Sequence, residues 1–242
     1  MIWFVGAGPG AVDLITVRGA ELLRKAGVIV YAGSLVNPEL VRAYASPSCE
    51  LHDSSGMTLA EIVDVLAGGE SRGLLTVRLH SGDPALYGAV REQFEALREL
   101  GMPFEIVPGV SSLFAASAAL KTEYMIPGQV QTLVVSRVEG RTAAGTSAST
   151  ALFLSAGMME KACSELIARG YSPETPAAVV YRATWPVEKV IRGTLETLPD
   201  LARGITKSAL ILAGEFLSQD LHEASRLYDE NFSHEYRHSR IH

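Results

Sequence analysis

The sequence predicts an α/β protein made of two α/β domains with mostly parallel sheets. Short β-rich runs alternate with helical stretches along the chain, the pattern that builds a parallel sheet covered by helices on both faces. A length of 242 residues suits one large domain or two small ones. Hydrophobic residues make up 48% of the chain and charged residues 20%, a balance able to bury a core.

Ile2–Val5 reads as a buried strand, followed by the tight loop Gly6-Ala7-Gly8-Pro9-Gly10. Thr16 can cap a helix over Val17–Ala26, with Gly27 as its stop. Val28–Tyr31 is a second strand. A helix over Leu59–Leu66 is capped by Thr58 and flanked by Gly68-Gly69. Leu74–Leu79 is a third strand, and Ser81-Gly82-Asp83-Pro84 turns the chain. A helix near Gly88–Leu100 stops at Gly101. Phe104–Val107 is the next strand, and Pro108-Gly109 leads into a helix of small residues, Ser112–Leu120. The rhythm breaks around Lys121–Gly128, which sets the expected domains at 1–120 and 121–242. In the second, strands are expected at Val130–Ser136, Leu152–Ser155, Ala177–Tyr181, Val187–Arg192 and Leu210–Ala213. Helices are expected at Glu160–Ala168 and Leu195–Ala202. The small-residue stretch Thr142–Thr150 reads as a loop, and the polar tail Tyr228–His242 lacks helical periodicity.

Lys and Arg number 21 against 27 Asp and Glu, a net charge of −6. An acidic surface argues against sequence-independent nucleic-acid binding and against anionic membranes. Cys49 and Cys163 are the two cysteines, too few for a disulfide scaffold or a four-Cys zinc site, and they fit a reducing, cytoplasmic setting. No apolar run approaches the ~20 residues of a membrane span, and the apolar start has no basic stretch of a signal peptide.

Gly6-Ala7-Gly8-Pro9-Gly10-Ala11 fits G-x-G-x-x-[GA] after a strand. A dinucleotide site also needs an acid after the second strand, where Tyr31-Ala32-Gly33-Ser34 offers none. The loop is then either a tight turn or a backbone wall that lets a ligand approach closely. Ser81-Gly82-Asp83-Pro84 follows a strand at its carboxyl end, where open α/β sheets bind ligands. Asp before Pro also makes a good helix start. Otherwise, exposed amides beside a fixed carboxylate can grip a small polar ligand. Pro108-Gly109-Val110-Ser111-Ser112 occupies the same position on the next strand. Three small-residue loops at one sheet edge suggest one shared site. His234-Glu235-Tyr236-Arg237-His238 matches H-E-x-x-H but lies in the polar tail, so no metal is expected. No nucleophile elbow or phosphate loop is present. Cys49 and His52 form only C-x-x-H, and Cys163 reads as core. His80 ends a buried strand, directed at the proposed cleft.

Together the three loops, the first continuing into Asp13-Leu14-Ile15-Thr16, resemble the tetrapyrrole methyltransferase family over essentially the whole chain. Segments Tyr31–Pro38, Tyr181–Pro186 with Glu188-Lys189-Val190, and Tyr228-Asp229 with Phe232-Ser233-His234 are similar to its precorrin-4 C-11 branch in cobalamin biosynthesis. The resemblance implies two α/β domains with S-adenosylmethionine in the cleft between them, in a homodimer. It implies cofactor contacts at Pro9, at Ser81, Gly82, Asp83 and Leu86, and at Ser111 and Ser112. Ser155, Ala183 and Gly214 would close the site from the second domain. Related uroporphyrinogen enzymes carry an Arg where this chain has Ala89, after Tyr87-Gly88, while their following Glu is matched by Glu92. No catalytic residue is assigned. The activity implied is methyl transfer to carbon 11 of precorrin-4 or of its cobalt-containing counterpart. A non-catalytic tetrapyrrole carrier is the alternative of another class, and a diphthamide- or ribosomal-RNA-modifying methyltransferase would share the architecture. Arg78, Arg91, Arg137 and Arg182 are candidates for the substrate's carboxylates.

Overall fold

The structure is a computed structural model describing residues 1–138, 147–218, 232–233 and 235–238. Contacts divide the chain into two compact units. Met1–Ala115 together with Arg182–Glu188 makes one, and Ala116–Tyr181 with the chain from Lys189 onward makes the other. Ala183, expected to act from the second domain, therefore lies with the first unit.

The first unit holds five strands, β1 (Ile2–Gly6), β2 (Val28–Tyr31), β3 (Glu50–Asp53), β4 (Thr76–His80) and β5 (Phe104–Val107), in the order β3-β2-β4-β1-β5. Every ladder is parallel. Side chains alternate across a strand, so the buried central strands feed two cores. Val5, Ile29, Val77 and Leu79 pack on one face with Leu23 of α1 (Val17–Lys25) and Leu40 of α2 (Pro38–Tyr44). Ile2, Phe4, Val28 and Val30 pack on the other with Leu66 of α3 (Leu59–Ser71) and Leu97 of α4 (Arg91–Glu99). Thr16 caps α1 by accepting from the Gly19 amide, and Thr58 with Glu61 closes a capping box on α3. α5 (Ser112–Leu120) follows β5.

Several expectations are corrected here. α3 runs through Gly68 and Gly69 to Ser71, because the buried stripe Ile62, Val63, Leu66 outweighs the propensity cost of glycine. α4 begins at Arg91 rather than Gly88, after Tyr87 and Ala89 take left-handed φ of 59° and 48°. Asp83-Pro84 therefore does not open a helix. α2 and β3 carry no sequence expectation. β3 is a mostly exposed edge strand, Glu-Leu-His-Asp, without a buried alternation to betray it.

The second unit contains β6 (Leu133–Ser136), β7 (Ser149–Leu152), β8 (Pro176–Tyr181), β9 (Lys189–Thr194) and β10 (Ala209–Ala213), ordered β6-β7-β10-β8-β9. Among the described residues only β6–β7 is parallel, and the other three ladders are antiparallel. One face is covered by Ala162, Cys163 and Leu166 of α6 (Met159–Ala168) and Leu198 of α7 (Leu198–Leu201). α7 is shorter than expected, with Pro199 tolerated in the first turn, where its missing N–H is not needed. The expected loop 142–150 ends inside β7, and the expected strand 152–155 gives way after Leu152 to a turn with Leu154 at φ 54°. Residues 142–146 of that loop and most of the tail, including His234, Tyr228 and Asp229, lie outside the described residues.

Candidate functional site

In a parallel sheet all carboxyl ends emerge on one edge. The loops after β1, β4 and β5 meet there backbone to backbone. A Cβ on Gly6 would come within 2.5 Å of the Gly109 Cα and 2.6 Å of the Gly82 carbonyl oxygen. A Cβ on Gly109 would collide with that same carbonyl and sit 2.7 Å from the Gly6 Cα. Only glycine permits this approach. Gly8 and Gly82 then exchange both backbone hydrogen bonds, at 3.2 and 2.8 Å, and the Ala7 amide donates to the His80 carbonyl at 2.7 Å. Asp83 completes the junction. Its Oδ1 accepts from the Ala85 amide and its Oδ2 from the Gly109 amide, both at 2.8 Å.

The structure thus brings together Pro9, Ser81, Gly82, Asp83, Ser111 and Ser112. The third loop flanks the second, since a Cβ on Gly82 would lie 3.7 Å from the Ser111 Cα and the Ser112 nitrogen. Leu86 is tied to the junction through its amide, which donates to the Asp83 carbonyl at 3.2 Å. One expectation changes. The amides of Gly8, Gly82 and Gly109 and the carboxylate of Asp83 are not free to grip a ligand, because they hold the three loops to one another. What the junction offers is a floor of bare backbone. Gly6 and Gly109, its tightest members, were not among the expected site residues. The signal that could have found them is a glycine at or just beyond the carboxyl end of adjacent parallel strands.

The second-unit residues are not gathered. Leu152 of β7 is opposite Ile211 of the antiparallel β10, so Ser155 and Gly214 lie beyond opposite ends of that ladder. Ser155 is fully buried, its Oγ donating to the Phe153 carbonyl at 2.7 Å and accepting the Val138 amide at 2.9 Å. Gly214 has φ 138°, a backbone shape that glycine favours.

The four arginines have different surroundings. Arg78 is 5% exposed on the sheet face covered by α3 and α4. Its Nε donates to Gln93 Oε1 at 3.1 Å, and its Nη1 to the Val30 carbonyl at 3.3 Å and to Ser54 Oγ at 3.0 Å. Burial lowers its pKa to about 10. Arg78 is thus a core tie rather than a docking cation. Arg91 is solvent-exposed and paired with Glu95. Arg137 is exposed in the second unit. Arg182 lies 5.1 Å over the Trp185 ring. His80 does not face a cleft. It is 5% exposed and stacks on Phe4 at 5.9 Å. Burial first, then the nearby Arg78 charge, pushes its pKa down to about 3, so it is neutral at physiological pH.

Residues 1–199 match the model of the Tetrapyrrole (Corrin/Porphyrin) Methylases. The chain belongs to that family. A cobalt-precorrin-4 C(11)-methyltransferase of Methanocaldococcus jannaschii is 46% identical, covering 97% of this chain and 95% of the relative. The X-ray structure of a cobalt precorrin-4 methyltransferase superposes with a TM-score of 0.84 at 44% identity, covering 90% of this chain and 95% of that one. A uroporphyrin-III C-methyltransferase from Thermus thermophilus, solved in complex with S-adenosylhomocysteine, gives 0.74 at 27% identity, covering 89% and 92%.

Proposed function

We propose that this protein transfers a methyl group from S-adenosylmethionine to carbon 11 of the precorrin-4 macrocycle in cobalamin biosynthesis. The observation that carries the reading is the glycine junction of β1, β4 and β5 in a chain of this family. Two of the likenesses described above bear the cobalt form of the name, which favours the cobalt-containing macrocycle as substrate over the metal-free one.

The residues present fit a bulky nucleoside donor. Gly6, Gly82 and Gly109 leave a floor without side chains, where a single Cβ would meet backbone atoms. Pro9, Ser81, Gly82, Asp83, Leu86, Ser111, Ser112 and Ala183 would border the donor in the first unit. Bound S-adenosylmethionine supplies a methyl group already activated by its sulfonium charge. The chain's own work is positional. Asp83 fixes the loop after β5 to the loop after β4, and the Gly8–Gly82 pair fixes the loop after β1 to the loop after β4. Rigid placement of two reactants converts a bimolecular encounter into an oriented one, with reacting atoms roughly 3–3.5 Å apart. We place the enzyme in the cytoplasm as a homodimer needing no protein-bound metal.

The test is product analysis by mass and carbon-13 NMR, with metal-free and cobalt-containing substrates offered separately. A new methyl at carbon 11 is expected. Methylation at another ring carbon would overturn the assignment and leave the family intact. A tetrapyrrole carrier would bind macrocycle without binding S-adenosylhomocysteine.

A further inference from the structure

We propose that Trp185 is a positioning residue for the methyl-donor site, acting through the first glycine loop. The inference rests on the reading above that this loop borders the donor.

Four consecutive loop residues are each held by a side chain from outside the loop. The Pro9 carbonyl accepts from Trp185 Nε1 at 3.1 Å, and the Gly10 carbonyl from Asn37 Nδ2 at 2.8 Å. The Ala11 amide donates to Thr184 Oγ1 at 2.9 Å, and the Val12 carbonyl accepts from the Tyr44 hydroxyl at 3.3 Å. Gly10 is what admits the tryptophan, since a Cβ there would land on the indole ring. Two of the four holds come from the segment between β8 and β9, which lies with the first unit.

That segment is built at a cost. Arg182 and Thr184 sit at φ 46° and 68°, a left-handed region that disfavours residues with a Cβ. The turn is braced from within. The Trp185 amide donates to the Arg182 carbonyl at 3.0 Å, and Glu188 accepts the Thr184 amide at 2.6 Å. The Arg182 guanidinium covers the indole. A glycine-rich loop has much conformational freedom to lose when a ligand binds against it. Holding its outer polar groups beforehand removes that loss from the binding step. The strained turn and the vacant Cβ position at Gly10 then have a common purpose: to fix the loop in its ligand-ready shape.

The test uses the full chain and S-adenosylhomocysteine. Trp185→Phe keeps a ring and deletes the N–H, and Gly10→Ala evicts the ring. By calorimetry Trp185→Phe is expected to weaken binding about fivefold, the weight of one neutral hydrogen bond, and Gly10→Ala by at least as much. In turnover the donor KM should rise by the same factor, with kcat at saturating donor nearly unchanged. Unchanged affinity in Trp185→Phe, even with lowered thermal stability, would overturn the proposal. If the wild-type chain binds no S-adenosylhomocysteine, the functional reading itself falls and this inference falls with it.

Discussion

Among the described residues the two sheets have the same number of strands and opposite consequences for building a site. In the first, every strand runs the same way, so the loops after β1, β4 and β5 are delivered to one edge and pack against each other. In the second, β10 opposes both β7 and β8, and the ends of neighbouring strands point to opposite edges. Ser155 and Gly214 both follow strands in the sequence, yet the ladder separates them. A motif at the end of a strand signals a shared site only where the sheet is parallel.

That contrast can be broken by experiment. The largest effect belongs to Gly109→Ala, whose new methyl meets the Gly82 carbonyl and the Gly6 Cα. It should cost about 3 kcal/mol of stability, the upper range for overpacking, and abolish S-adenosylhomocysteine binding. Chemical denaturation and calorimetry would show both, and normal binding would mean the loops are not a rigid platform. Asp83→Ala loses both amide ties. It should cost about 2 kcal/mol and weaken the ligand about tenfold. An unchanged dissociation constant would reduce Asp83 to a turn-former.

Acid should erode the first unit through His80. Folding lowers its pKa from 6.5 to about 3, so below pH 6.5 the unfolded chain takes up a proton that the folded chain refuses. The stability contribution is whole above pH 6.5 and falls toward pH 3, by at most about 1.4 kcal/mol per pH unit. Urea titrations of wild type and His80→Phe should diverge over that window and run parallel above it. The smallest effect belongs to the second sheet. Gly214 has φ 138°, so Gly214→Ala should cost about 1 kcal/mol in chemical denaturation, and full stability would mean that the end of β10 does not depend on that backbone shape.

The sequence revealed most where local signals agree with packing. β2, β5 and α5 fall on their expected residues, because apolar runs, glycine breaks and caps coincide. β3 escaped notice as a short polar edge strand. α2 escaped although Asn37-Pro38 is a good helix start. The loop junction was legible as three small-residue turns after strands, since that order survives in one dimension. The arginines were not. Whether Arg78 faces solvent or a helix-covered face depends on register and on α4, which brings Gln93 to its guanidinium. The same holds for Trp185, whose partner Pro9 lies 176 positions away.

The central claim is that parallel strands collect three bare-backbone turns into the surface on which the methyl donor rests. Backbone-amide NMR of the nitrogen-15-labelled chain, titrated with S-adenosylhomocysteine, tests it most directly. The account predicts that the largest shifts fall together on Gly6–Ala11, Ser81–Asp83 and Gly109–Ser112. Saturable binding that leaves those amides unmoved, with the shifts clustered elsewhere, would contradict it.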